Sequence, residues 1–269
     1  MPSTTLLTLN DRRLAYEDYG PPTAPVVVAL HGHFGRGRIF APLAEHVSTS
    51  YRIVAPDQRG HGRSDNGGDF HPDAYVADLE ALLTALALGP VVLLGHSMGG
   101  VVAYRLAARR PDLVRGLIVE DIGAVTDDTA VAHPVLDVTD WPTTAPSPDA
   151  MRAAIEERGI PDATYFLHSV EHDPDSATWR LLFDPADMMR SQKQAMGDHW
   201  DDWLASTCPA LLMRGGHSTL LSADMAADMV RRRPNTKLVD FPDAGHWIHD
   251  DAPDAFAATV TEFLAGLSR

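Results

Sequence analysis

The chain has 269 residues, 45% of them hydrophobic and 22% charged, a balance that folds rather than stays disordered. Its 22 basic against 37 acidic residues give a net charge of −15, which argues against a nucleic-acid binder and against docking on anionic lipid. The single cysteine, Cys208, rules out an intrachain disulfide and a multi-cysteine zinc site, and reads as a buried, inert thiol.

Residues 1–20 lack a basic segment followed by an apolar one, so no signal peptide is expected. Residues 6–9 and 14–19 read as two short strands joined at Asn10 and Asp11, a hairpin signal. Residues 25–30 contain three consecutive valines, which suits a strand buried on both faces of a parallel sheet. Another short strand is expected at 51–55. Residues 72–88 place Tyr75, Val76, Leu79, Leu82, Leu83 and Leu86 at helical spacing. A strand at 91–94, a helix at 98–109 and a strand at 117–119 follow. Residues 81–104 carry no formal charge, but Gly89-Pro90 and Gly99-Gly100 interrupt them, so no membrane span is expected. The reading is a cytoplasmic protein, with a homo-oligomer left open.

After Asp121 the alternation stops. Residues 122–206 offer no strong strand, only an acidic loop, a proline-rich stretch from Trp141 to Pro148, and helical patterns at 151–157, 164–170, 179–183 and 188–204. Alternation resumes with a strand at 210–214, a helix at 223–232, a strand at 237–241 and a closing helix at 255–267. The expected fold class is α/β: a mostly parallel sheet with helices on both faces, formed by residues 1–122 and 207–269. Residues 123–206 are expected as a helical cap over the sheet edge where active sites lie in such folds.

The most informative run is Val91 to Gly100, which carries Gly95-His96-Ser97-Met98-Gly99, a G-x-S-x-G between an apolar strand and a helix. Small residues on either side let the chain turn sharply and expose a serine hydroxyl, and the helix that follows points N–H groups at the same spot. A glycine-rich turn without chemistry is the plain alternative.

With this run the chain resembles the α/β-hydrolase family over nearly its whole length. Besides Gly95 to Gly100, the resemblance rests on His31-Gly32-His33-Phe34-Gly35, on Asp57-Gln58-Arg59-Gly60-His61-Gly62-Arg63-Ser64, and on Gly245-His246-Trp247. It implies Ser97 as nucleophile and His246 as general base. It also implies an oxyanion hole built from the backbone N–H groups of Met98 and His33, with Phe34 as the fallback donor. His249 is a weaker base candidate, and a His246/His249 metal pair lacks an evident third ligand.

The acid departs from the family pattern. The segment after the 210–214 strand reads Gly215 to Ser222 and contains no Asp or Glu; Ser218 or Thr219 stands where the resemblance implies an aspartate. Some relatives place the acid one core strand earlier. There Asp121 closes a strand and keeps the order Ser97, Asp121, His246, so Asp121 is the chosen acid. Strand alternation predicts that Glu120 and Asp121 face opposite ways, one into the site. Both could instead be solvated charges of an acidic loop, since 121–140 holds five Asp and no Lys or Arg. Asp224, inside a helical pattern, is a distant third choice.

A serine rather than a carboxylate nucleophile points to acyl chemistry on an ester, thioester or lactone, with no cofactor and no metal. The expected partner is a neutral or apolar small molecule, contacted by Phe34, His96 and Trp247. Phe166, Met188, Met189, Trp200 and Trp203 could add an apolar pocket or simply form the cap's own core. Asp57, Arg59, His61 and Arg63 are expected to bridge one another and hold their loop. A carbon–carbon bond hydrolase, a cofactor-independent oxygenase using a His246–Asp121 dyad, and a ligand-binding module without turnover are the competing readings.

Overall fold

Strands β1 (Thr5–Leu9) and β2 (Arg12–Tyr19) pair antiparallel, as expected of a hairpin. The computed structural model describes residues 4–9 and 11–267, so Asn10 of the expected turn and residues 1–3 of the segment read for a signal peptide lie outside the described residues. Next come β3 (Val26–Leu30), a 3-10 turn at Gly37–Phe40, α1 (Ala41–Val47), β4 (Arg52–Pro56) and α2 (Pro72–Ala85). They lead to β5 (Val91–His96), α3 (Met98–Arg109) and β6 (Val114–Glu120). The intervening stretch holds β7 (Thr144–Ala145), α4 (Pro148–Glu156), α5 (Thr164–Leu167), β8 (Val170–Asp173), β9 (Thr178–Leu181), α6 (Pro185–Ala195) and α7 (Trp200–Ala205). The chain closes with β10 (Ala210–Gly215), α8 (Ala223–Arg232), β11 (Thr236–Phe241), α9 (Ile248–Asp251) and α10 (Pro253–Leu267).

Eight strands form one sheet in the order β1-β2-β4-β3-β5-β6-β10-β11. The pairs from β4 onward are parallel; only the β1-β2 and β2-β4 pairs are antiparallel. Side chains alternate across it. Val27, Ala29, Val92, Leu94 and Ile118 pack on one face with Phe256, Val260 and Leu264 of α10. Val28, Leu30, Leu93, Leu117 and Val119 pack on the other with α2 and α3. Both faces are dry, which is why the valine run shows no polar alternation. β5 lies between β3 and β6, and the ends of these three strands bring the loop after β3, the serine turn and Glu120–Asp121 to one edge.

Three expectations need correction. The stretch between β6 and β10 is not wholly helical: β7, β9 and β8 form a three-stranded antiparallel sheet. The pattern at 179–183 begins in β9 and runs two residues past it, and the one at 164–170 divides between α5 and the start of β8. Runs of five to seven residues are too short for periodicity to separate helix from strand. The hairpin is decided by pairing, with the His172 and Trp179 rings 5.3 Å apart across it.

The Asp57–Ser64 side chains do not bridge one another. The Asp57 carboxylate accepts backbone N–H groups of Gly37 (2.7 Å) and Arg63 (2.8 Å), Arg59 forks onto Asp78 at 2.7 Å twice, and Arg63 reaches Glu171. Within the run the contacts are side chain to backbone: Arg63 N–H on Asp57, His61 Nδ1 on the Arg59 carbonyl and the Ser64 hydroxyl on the Asp57 carbonyl, so the loop is still held partly from inside.

Cys208 is half-buried rather than sealed in the core, with the Arg233 guanidinium 3.7 Å from its sulfur. Among the described residues, no helix is long and apolar enough to cross a membrane.

Candidate active site

Ser97 stands at the junction of β5 and α3 with φ 52° and ψ −123°. A non-glycine residue rarely adopts this conformation, which costs about 1–3 kcal/mol. The flanking glycines have a different task from turning the chain. A Cβ on Gly95 would overlap the Gly99 backbone, and one on Gly99 would overlap the backbone of Leu30. They permit close approach, and the strain falls on the serine itself. Ser97 occupies the N-cap position of α3, yet its hydroxyl makes no cap hydrogen bond, so it is not spent on the helix.

His246 follows β11 in a loop held by the Gly245 N–H on Asp251 Oδ2 at 2.7 Å. Its Nδ1 lies 2.8 Å from Asp121 Oδ2. The carboxylate accepts, so Nδ1 carries the proton and a neutral ring keeps Nε2 as its basic nitrogen. The neighbour of the serine completes the junction: His96 Nε2 donates to the His246 carbonyl at 3.0 Å, and the two rings are 4.6 Å apart.

Asp121 is fully buried, so it is not a solvated loop charge. Its Oδ1 accepts the Gly215 N–H at 2.8 Å and its Oδ2 accepts the Ser218 hydroxyl as well as His246. The loop after β10 thus supplies no carboxylate but donates an N–H and an O–H to one that arrives from β6. Glu120 turns to α9 rather than to the loop after β10. Its Oε1 accepts the N–H of His249 at 3.0 Å and lies 2.7 Å from His249 Nδ1. Asp121 has φ 52°, which breaks the strand alternation and lets adjacent carboxylates reach adjacent histidines. Burial opposes a charge on His249, but the Glu120 carboxylate outweighs it and holds the imidazole above its usual pKa. Asp224 is exposed in the first turn of α8, away from this network.

His246 and His249 take different carboxylates, Asp121 and Glu120. His96, Glu120 and His249 have metal-ligand atoms within 4.8 Å of one another; Glu120 Oε1 is committed twice to His249, while Glu120 Oε2, His96 Nδ1 and His249 Nε2 are buried without a hydrogen-bond partner among the described residues.

Opposite the serine, the loop after β3 is closed by the Gly35 N–H on Gly32 O at 3.2 Å, and the N–H groups of His33 and Phe34 are not used in that closure. Phe34 has φ 68°.

A cavity of about 620 Å³ is lined by Ser97, Met98, His246 and the contact residues read from the sequence, Phe34, His96 and Trp247. Among the described residues no Lys or Arg lines it, and the carboxylates that do are Asp162, Asp250 and Asp251. Tyr165, Gln192, Met196, Leu136 and Ile122 also line it and were not singled out from the sequence. Nothing in their local pattern marks them, because they reach the cavity from segments far apart in the chain. Phe166, Met188, Met189, Trp200 and Trp203 are absent from its lining; Phe166, Met188 and Trp203 are fully buried in the core instead.

A model of the alpha/beta hydrolase family matches residues 27–259. The chain belongs to this family. It is a hydrolase, and its relatives include lipases and esterases. Over 260 residues it is 32% identical to the sn-1-specific diacylglycerol lipase ABHD11 of Mus musculus, covering 91% of this chain and 83% of that one. It is 28% identical over 246 residues to 2-(acetamidomethylene)succinate hydrolase of Mesorhizobium japonicum, covering 90% and 88%. The crystal structure of E-2-(acetamidomethylene)succinate hydrolase superimposes with a TM-score of 0.86 at 25% identity, over 98% of this chain and 100% of that one.

Other histidines of the hydrolase are structural. His31 Nδ1 donates to Gly32 O at 2.7 Å while its Nε2 accepts the Gln58 N–H at 2.9 Å, so a second proton would break a bond. Burial pushes His31 and His61 down to about 3. Both pKa values are lower in the folded than in the unfolded chain. Their stabilisation is complete above about 6.5 and is lost as pH falls from there towards about 3. Thermal melts between pH 7 and 5, above most carboxylate titration, should show Tm falling. Each kcal/mol lost is worth about 2–4 °C for a chain of this size. A flat Tm over that range contradicts the assignment.

Proposed function

We propose that this hydrolase cleaves neutral carboxylic esters, thioesters or lactones through an acyl-enzyme on Ser97. The observation that carries the reading is the His246–Asp121 hydrogen bond of 2.8 Å, made on the wall of the cavity that also holds the strained Ser97. Ser97 Oγ attacks the carbonyl carbon as His246 Nε2 takes its proton. The imidazolium that forms is stabilised by Asp121, and the N–H groups of Met98 and His33 receive the oxyanion. His246 then returns the proton to the leaving oxygen or sulfur, or to the opened lactone oxygen. Water repeats the sequence to free Ser97.

The substrate class follows from the lining. Among the described residues the cavity offers a carboxylate-bearing substrate no Lys or Arg while carrying Asp162, Asp250 and Asp251, which favours a neutral one. Of the substrates named for the two relatives, a glyceride ester suits this lining better than a succinate. We assign residues 123–206 as the cap that roofs the cavity, and a reducing cytoplasm as the compartment, in keeping with the free Cys208.

The test is a pair of assays. A fluorophosphonate probe should label Ser97 in the folded protein and fail to label the His246→Ala variant. p-Nitrophenyl butyrate should be hydrolysed at least about tenfold faster, by kcat/KM, than the p-nitrophenyl monoester of succinate, the equivalent of about 1.4 kcal/mol. No labelling of Ser97 overturns the acyl-enzyme, and equal rates overturn the neutral substrate class.

A further inference from the structure

Four consecutive residues of the loop after β3, Gly32 to Gly35, are each met by a side chain from the stretch between β6 and β10. The Tyr165 hydroxyl sits over Gly32 and Gly35, so closely that a Cβ on Gly35 would overlap it. The Ser191 hydroxyl lies 2.9 Å from His33 Nε2. The Ser169 hydroxyl donates to the carbonyl of Phe34 at 2.6 Å. Tyr165 is nearly buried, and Ser169 and Ser191 are fully buried.

Ser191 also touches the other side of the hole. Its hydroxyl lies 3.9 Å from Met98 Sδ and 2.7 Å from the Tyr75 hydroxyl. One serine on α6 thus contacts the side chains of both residues whose N–H groups are assigned to the oxyanion. Proline at the first turn and the Asp184 side chain on the Asp187 N–H at 3.0 Å fix the start of that helix.

We infer that Ser169 and Ser191 are positioning residues, through which the cap sets the orientation of the oxyanion-hole loop. The inference rests on the acyl-enzyme reading above. Phe34 is held at positive φ and its carbonyl is taken by Ser169, so the Phe34–Gly35 peptide unit is fixed from the cap. The Gly32 carbonyl, on the unit that carries the His33 N–H, is held within the loop by His31 Nδ1 and the Gly35 N–H, and the cap reaches His33 through its side chain. An N–H contributes to catalysis only when it is aimed at the developing oxyanion, and the aim is lost if the loop can rotate. The cap then does more than enclose substrate: the hole is assembled only while the cap is seated.

The test compares wild type with Ser169→Ala and Ser191→Ala. Losing a whole oxyanion donor costs about 10²–10³ in kcat, and loosening one should cost about tenfold. Expected are a kcat lower by about tenfold on p-nitrophenyl butyrate and a KM within about twofold. Binding of a trifluoromethyl ketone, which mimics the oxyanion, should weaken by the same factor as kcat. Amide hydrogen exchange of residues 31–35 should rise. Loss of kcat with unchanged ketone affinity, or unchanged exchange and kcat, overturns the positioning role. Ser191→Ala leaves every backbone bond of the loop intact, so it carries the test if Ser169→Ala unfolds. A wild type that neither reacts with fluorophosphonate nor hydrolyses the ester overturns the acyl-enzyme reading, and the loop's role with it. An active wild type with unaffected variants overturns the positioning role alone.

Discussion

Ser97→Ala should lower kcat on p-nitrophenyl butyrate by about four to six orders of magnitude, leaving only what binding and the oxyanion hole supply without a nucleophile. Alanine has the same backbone limits as serine, so the strained turn at φ 52° is kept and the fold should survive. The hydroxyl it removes makes no cap bond with α3, so its loss leaves the helix start unchanged. Tm should therefore stay within a few degrees of wild type while activity disappears. Steady-state rates measured with protein free of wild-type contamination decide the matter. A variant retaining more than about one-hundredth of the rate means that the serine is not the nucleophile, and would favour proton abstraction by His246 with Asp121 instead.

Asp121→Asn should be the next most damaging change, lowering kcat by about 10²–10⁴ with little effect on KM. The shape is preserved, but the charge opposite His246 Nδ1 is gone, so the imidazolium is no longer stabilised. The Asn amide can also favour the wrong tautomer of the ring. Ser218→Ala removes one of the donors to the same carboxylate and should cost no more than about tenfold in kcat. Thr219→Ala, which lines the cavity without touching Asp121, should leave kcat near wild type. Kinetics of the three variants side by side give the ranking. If Thr219→Ala or Ser218→Ala proves worse than Asp121→Asn, the acid does not come from β6.

The strands and the serine turn were legible because short-range patterns carry them. Val26–Leu30 is a β-branched run and Val91–Leu94 an apolar one, each flanked by proline or glycine, and that composition suits a strand dry on both faces. The hairpin of β8 and β9 was not legible, because its short strands gain their identity from each other. Asp121 could be nominated from its place at a strand end. Its partners, Gly215, Ser218 and His246, lie about 90 residues or more further along the chain.

The pairing of Glu120 with His249 escaped prediction because a single backbone angle at Asp121 overrides the two-residue period of the strand. The cap contacts escaped for a different reason. Ser169 and Ser191 are ordinary hydroxyls in weakly patterned segments, and only their placement against Phe34 and His33 gives them meaning. The sequence by itself determined the α/β core, the strained serine turn and the late histidine, because backbone sterics and side-chain period act between neighbours. The tertiary structure alone decided which carboxylate meets which histidine, what lines the cavity and what holds the loop after β3. Those are contacts between residues brought together by folding, and no local pattern encodes them.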